Sequence, residues 1–177
     1  MNEIYFITGN ENKLKEAREI IPNIRGLNID LTEIQSIDAH EVIKHKLLEA
    51  RKKHFGNFIV EDTSLYLGCL NGLPGPLIKW FLKSIGNEGL VKIAKDHNNH
   101  KALAKCIIGY YKDDEIKFFE GVIEGTLTES KGENGFGWDK IFMPNSYEKT
   151  FAEMNIEEKN KISHRKIAFE KLKESLI

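Results

Sequence analysis

A chain of 177 residues with 41% hydrophobic and 30% charged residues can bury a core without disulfides or a structural metal, and it reads as one domain over 1–177, with two lobes allowed. A formal net charge of −1 gives no global field for polyanions, so nucleic acid is disfavoured as the main partner and an anionic ligand needs local cations. Cys69 and Cys106 have neither zinc nor redox spacing, no stretch reaches membrane-spanning length, and Met1-Asn2-Glu3-Ile4 begins no leader, so a cytoplasmic protein without a membrane partner is expected.

Residues 3–8 read as a buried strand ending in Thr8-Gly9-Asn10. A helix starts at once, with Leu14, Ala17, Ile20 and Ile21 on one face and Pro22 as its stop. Alternation in Leu27-Asn28-Ile29-Asp30-Leu31 predicts a second strand, and Ile43, Leu47 and Ala50 predict a helix near 39–54. Phe58-Ile59-Val60 reads as a short central strand running into Glu61-Asp62-Thr63. Gly72-Leu73-Pro74-Gly75-Pro76 is too rigid and too glycine-rich for either regular element. Ile78, Phe81, Leu82 and Ile85 stripe a helix that Gly86-Asn87 breaks, and a short helix carries Leu90, Ile93 and Ala94. Residues 101–111 and 116–127 form a hairpin around Asp113-Asp114, Gly132 to Gly137 a loop, and Ile141-Phe142-Met143 a short strand closed by Pro144. Ser163 caps a last helix that buries Ala168, Phe169, Leu172 and Leu176. The sum is an α/β chain with a mixed sheet and flanking helices.

Four segments carry chemistry. At Thr8-Gly9-Asn10-Glu11-Asn12-Lys13 a capped helix start aims free amides and the positive dipole end outward, and Lys13 adds a full charge, which suits phosphate. It lacks P-loop spacing, and an ordinary capped helix with a surface lysine fits as well. Glu61 and Asp62 leave a core strand where α/β proteins place ligands; two carboxylates can hold a hard divalent cation and orient water, with Glu33 as a third oxygen ligand. Gly135-Phe136-Gly137-Trp138-Asp139 can be a base platform, although aromatics between glycines are more often core. Lys159-Asn160-Lys161-Ile162-Ser163-His164-Arg165 joins cations to a second capped helix start; a solvated charged face is the plainer reading of the two lysines.

In this order the segments resemble the inosine triphosphate pyrophosphatase (Ham1-like) family, carried by Thr8 to Lys13, Val60-Glu61-Asp62-Thr63, Gly72-Leu73-Pro74-Gly75-Pro76-Leu77-Ile78-Lys79-Trp80-Phe81, Gly135 to Asp139 and Ser163-His164-Arg165. The resemblance implies a two-lobed α/β fold around a long mixed sheet with a central cleft, a homodimer and magnesium dependence. It implies hydrolysis of ITP, dITP and XTP to the monophosphate and pyrophosphate, cleansing the nucleotide pool. By the same resemblance Thr8, Asn10 and Lys13, within the segment that includes Gly9, Glu11 and Asn12, hold the triphosphate. Glu33 and Asp62 bind magnesium with Glu61 in support, and Asp62 is the proton acceptor. Lys46 adds charge, Thr63 anchors substrate, and Lys79, Lys159 and Phe136-Gly137-Trp138-Asp139 hold it; His164 and Arg165 read the base. Lys140 departs from the proline common after the Trp-Asp pair. A nucleotide-binding module without catalysis and a Maf-type pyrophosphatase for other nucleotides are the competing readings.

Overall fold

The computed structural model describes residues 3–176; Met1, Asn2 and Ile177, at the ends of the predicted 1–177 span, lie outside the described residues. Strand β1 (Tyr5–Ile7) lies between β2 (Arg25–Leu27) and β3 (Phe58–Leu67), parallel to both. Beyond β3 the sheet turns antiparallel through β5 (Lys101–Lys112), β6 (Glu115–Leu127) and β7 (Phe142–Pro144), and the short β4 (Pro74–Gly75) pairs with the far end of β3. The predicted hairpin forms, with Asp113 and Asp114 at φ 49° and 64°, the left-handed pair that a tight mirror-image turn needs.

Helices α1 (Glu11–Ile20) and α5 (His164–Glu174) cover one face near β1, through Phe6, Leu14, Ala17, Ile108 and Phe169. Helix α2 (Ala39–Lys53) covers the opposite face, through Ile43, Leu47, Phe58, Val60 and Ile107. Alternation along β3 divides Ile59 from Phe58 and Val60 in this way. Helix α3 (Ile78–Asp96) closes a third core with Leu65, Leu67, Trp138, Phe142 and Phe151. It bends at Gly86, φ 67°, where the sequence predicts a break. Helix α4 (Ile156–Ile162) precedes α5, and Ser163 caps α5 as expected, accepting from the Lys166 amide.

Three readings change, the first at Pro74 and Gly75, which lie in the stretch read as neither regular element and pair as β4 with Tyr66 and Leu65. The second strand ends at Leu27, and residues 28–38 are irregular. Ile29 and Leu31 are half-buried against the α2 core, so their alternation reflects one-sided packing, not ladder pairing. The third strand does not stop at Val60 but runs through the acid pair to Leu67, because Leu65 and Leu67 continue the buried pattern. Along this edge of β3, β1 pairs only with Phe58 and Ile59, and β4 only with Leu65 and Tyr66. Between them the edge of β3 is open over residues 60–64, and the site lies in that opening.

Candidate active site

The β1–α1 turn builds one end of a cavity of about 870 Å³. Asn10 caps α1, its side chain accepting from the amides of Asn12 and Lys13 at 3.0 and 3.2 Å, while its own amide donates to Thr8 Oγ1 at 3.1 Å. The cap thus consumes two of the amides that the sequence offers to an anion. Thr8, Gly9, Asn10 and Lys13 line the cavity; Glu11 and Asn12 are exposed and do not.

In the sheet opening, Glu61 and Asp62 point to opposite faces of β3. Glu61 is enclosed with Lys13 (Nζ–Oε2 3.0 Å) and Arg165 (Nη2–Oε1 3.0 Å), and it accepts from Thr63 Oγ1 and from Cys106 Sγ. Burial pushes its carboxyl upward, but Arg165 and Lys13 overcome this and hold it well below the usual carboxylate range. Thr63 Oγ1 also accepts from Arg165 at 2.7 Å, so this hydroxyl belongs to the ion network as well as to the cavity wall.

Asp62 turns toward α2. Lys46 Nζ lies 3.2 Å from Asp62 Oδ1 and 2.6 Å from Glu33 Oε1, and Lys79 Nζ lies 3.6 Å from Glu33 Oε2. Burial drives the Asp62 carboxyl up, and Lys46 and Lys13 do not fully offset it. Glu33 moves the other way: burial raises it, but Lys46 and Lys79 prevail and keep it low. Among the described residues no three His, Cys, Asp or Glu side chains group as a metal site. Two carboxylates nevertheless converge on the Lys46 ammonium, where a cation already sits.

The other end is aromatic. Gly135, at φ 75°, turns the loop so tightly that a Cβ there would lie 2.3 Å from Asp139 Oδ2. That oxygen accepts from the Phe136 amide at 2.8 Å and from Lys159 Nζ at 2.7 Å. Burial raises the Asp139 carboxyl despite Lys159. Phe136 covers two cations, with Lys159 Nζ 5.0 Å and the Arg165 guanidinium carbon 5.6 Å from its ring centre. Trp138 lies against His164, ring centres 5.3 Å apart. Neither ring nitrogen of His164 has a partner among the described residues, and burial, with Arg165 and Lys159 nearby, holds the imidazole well below its usual value, hence neutral.

Of the predicted residues, Glu33, Lys46, Glu61, Asp62, Thr63, Lys79, the Phe136–Asp139 loop, His164 and Arg165 also line this one cavity. Lys159 does not; it is buried behind the loop. Arg165 is likewise buried, and three of its five N–H groups go to Glu16, Glu61 and Thr63. Its Nε has no partner among the described residues. Sequence reasoning misses Glu16 altogether: this buried α1 carboxylate binds Lys159 at 2.9 Å and Arg165 at 2.5 Å. Its only sequence signal is a place beside the Leu14–Ala17 stripe, and its partners come from the far end of the chain.

A model of the Ham1 family matches residues 4–175. The chain is similar to the inosine triphosphate pyrophosphatases of Candida albicans, 40% identical with 100% of this chain and 99% of the relative covered, and of Schizosaccharomyces pombe, 40% identical with 99% and 96% covered. Among solved structures it is similar to a HAM1 protein from Coxiella burnetii, with a TM-score of 0.88, 26% identity and 99% and 98% of the two chains covered.

Proposed function

The chain belongs to the Ham1 family, and from that premise we infer that it is a pyrophosphatase hydrolysing the non-canonical purine triphosphates ITP, dITP and XTP to the monophosphate and pyrophosphate. The observation that carries this reading is the polarity of the cavity. Lys13, Lys46 and Lys79 line it together with Phe136, Trp138, His164 and Arg165, and Glu61 binds both Lys13 and Arg165 where the two sets meet. A triphosphate fits the first set and a purine the second.

Magnesium commonly takes one or two protein carboxylates and completes its shell with water and substrate phosphates. Glu33 and Asp62, converging on one ammonium, are a donor set of that kind, and the buried Glu61, already paired with Lys13 and Arg165, supports the site from the other face. A bound magnesium supplies charge neutralisation on the triphosphate and the leaving pyrophosphate. The chain does the rest. Lys13, Lys46 and Lys79 hold the phosphates, and Thr8 with the α1 turn sets their register. Asp62 orients water toward the α-phosphorus and accepts its proton; the bond to the pyrophosphate oxygen breaks as the new P–O bond forms.

At the base end, Arg165 is donor-only, with Nε left over, and it favours a 6-oxo acceptor over the 6-amino donor of adenine. The reading also takes the chain as a single two-lobed domain, a homodimer and a cytoplasmic protein. Among the described residues no helix is long and apolar enough to cross a membrane.

Incubating the purified protein with ITP and magnesium and following the products by phosphorus NMR tests the function. Inosine monophosphate and pyrophosphate in equal amounts are expected. Inosine diphosphate with orthophosphate would place the cut at the γ-phosphorus and sink the reading.

A further inference from the structure

Glu16 is 4% exposed and does not line the cavity, yet it touches both supports of the base end. One oxygen binds Lys159 and the other Arg165. Lys159 passes the contact on to Asp139, which holds the Phe136 amide and so the loop; Arg165 is itself on the cavity wall. Two buried cations under one aromatic ring repel each other and have lost their water, so each needs a fixed counter-charge. Glu16 supplies it to both, and burial, which would raise its carboxyl, is overcome by Arg165 and Lys159.

We infer that Glu16 is the positioning residue for purine selectivity, aiming Arg165 directly and setting the Phe136–Asp139 loop through Lys159. The inference rests on the pyrophosphatase reading above and deepens it. Fixing Nη1 on Glu16 and Nη2 on Glu61 and Thr63 locks the guanidinium plane, so the two N–H groups left, on Nε and Nη1, each have one direction. A donor fixed in this way rewards a 6-oxo base and rejects a 6-amino base. A donor free to swing discriminates less. Glutamine at position 16 keeps the shape but offers one acceptor and one donor, so it serves one cation and opposes the other. Lys46 and Lys79 grip the triphosphate from α2 and α3, paired with Asp62 and Glu33, and touch neither Glu16 nor Arg165.

The test compares kcat/KM for ITP and ATP, and inhibition by inorganic tripolyphosphate, in wild type, Glu16→Gln and Glu16→Asp, with thermal melts beside them. Glu16→Gln should lower the ITP-to-ATP ratio at least about tenfold, the scale of one lost polar recognition contact. Tripolyphosphate, which has no base, should inhibit the variant within about threefold of wild type, since Lys46 and Lys79 keep their partners. Glu16→Asp, which keeps the charge, should recover part of the ratio. A folded Glu16→Gln protein with an unchanged ratio, its activity lost equally on both substrates, would reduce Glu16 to a structural counter-ion and overturn the inference. If Glu16→Gln does not fold, Glu16→Asp decides: its shorter reach should shift the ratio, and an unshifted ratio overturns the idea. Wild-type protein inert toward ITP would instead overturn the pyrophosphatase reading, and this inference with it.

Discussion

Glu61 and Asp62 are adjacent in sequence and serve opposite faces of one strand. Glu61 looks toward α1 and α5 and is bound by Lys13 and Arg165; Asp62 looks toward α2 and is bound by Lys46. The first is locked in an ion network, whereas the second keeps part of its surface toward the cavity, with a carboxyl raised by burial. Two identical amide substitutions should therefore fail in different ways.

Asp62→Asn should lower kcat by about a thousandfold, within the range for loss of a general base, while the melting temperature moves little. Pyrophosphate release and calorimetry check the two halves of this statement. Turnover within tenfold of wild type would remove Asp62 from the mechanism.

Glu61→Gln should instead unfold the protein more easily. It leaves Arg165 and Lys13 short of a buried counter-charge, a change that costs about 3–5 kcal/mol. In a chain of this size that corresponds to a fall of roughly 10 °C in melting temperature. A melt within 2 °C of wild type, about the effect of a surface substitution, would show that the network is not what holds these helices together.

The local parts of this site are legible in the sequence and the relational parts are not. The Thr8 to Lys13 turn is written in consecutive residues, so its cap and its lysine are readable. The division between Glu61 and Asp62 depends on β3 continuing past Val60, which Leu65 and Leu67 decide from beyond the acids. Ile29 and Leu31 continue the alternation of Leu27, but where Leu27 pairs with Ile7 their partner is the α2 core and not a neighbouring strand. Glu16 is the extreme case. Lys159 and Arg165 reach it across 143 and 149 residues, and no pattern within α1 announces a buried carboxylate.

Chelation of magnesium should abolish turnover, and readdition should restore it. Glu33→Gln removes one of the two carboxylates that meet at Lys46. It should raise the magnesium concentration for half-activity by at least about tenfold, the loss usual even for a residue that only supports a ligand. Titration of activity against magnesium measures this. An unchanged half-activity point would exclude Glu33 from the metal site.

His164 links stability to pH. Burial among Trp138 and Phe151 holds it neutral in the folded chain, whereas in the unfolded chain it takes a proton below about 6.5. Because the folded value is the lower one, proton uptake favours the unfolded state. Stability contributed by the neutral ring is complete above about pH 6.5 and is lost as pH falls toward the folded value, at up to about 1.4 kcal/mol per pH unit. His164→Phe keeps a ring against both neighbours and removes the titration. Urea melts from pH 7 to pH 5 should show a flatter decline for the variant. Parallel declines would mean that His164 titrates alike in both states.

Gly121 ties the sheet to the position of His164 and Arg165. It lies on β6 where α5 begins, and a Cβ built there would fall 1.9 Å from the His164 carbonyl oxygen and 2.7 Å from the Ala168 amide nitrogen. Both are backbone atoms, so no rotamer relieves the clash and the helix itself must move. Moving α5 displaces His164 and Arg165 together and strains the bonds from Arg165 to Glu16 and Glu61. Gly121→Ala should therefore cost about 1–3 kcal/mol, as overpacking does, and raise KM for ITP more than it changes inhibition by tripolyphosphate, whose lysines lie outside α5. Stability loss with unaltered kinetics would mean that α5 can shift without carrying the guanidinium away from the cavity wall.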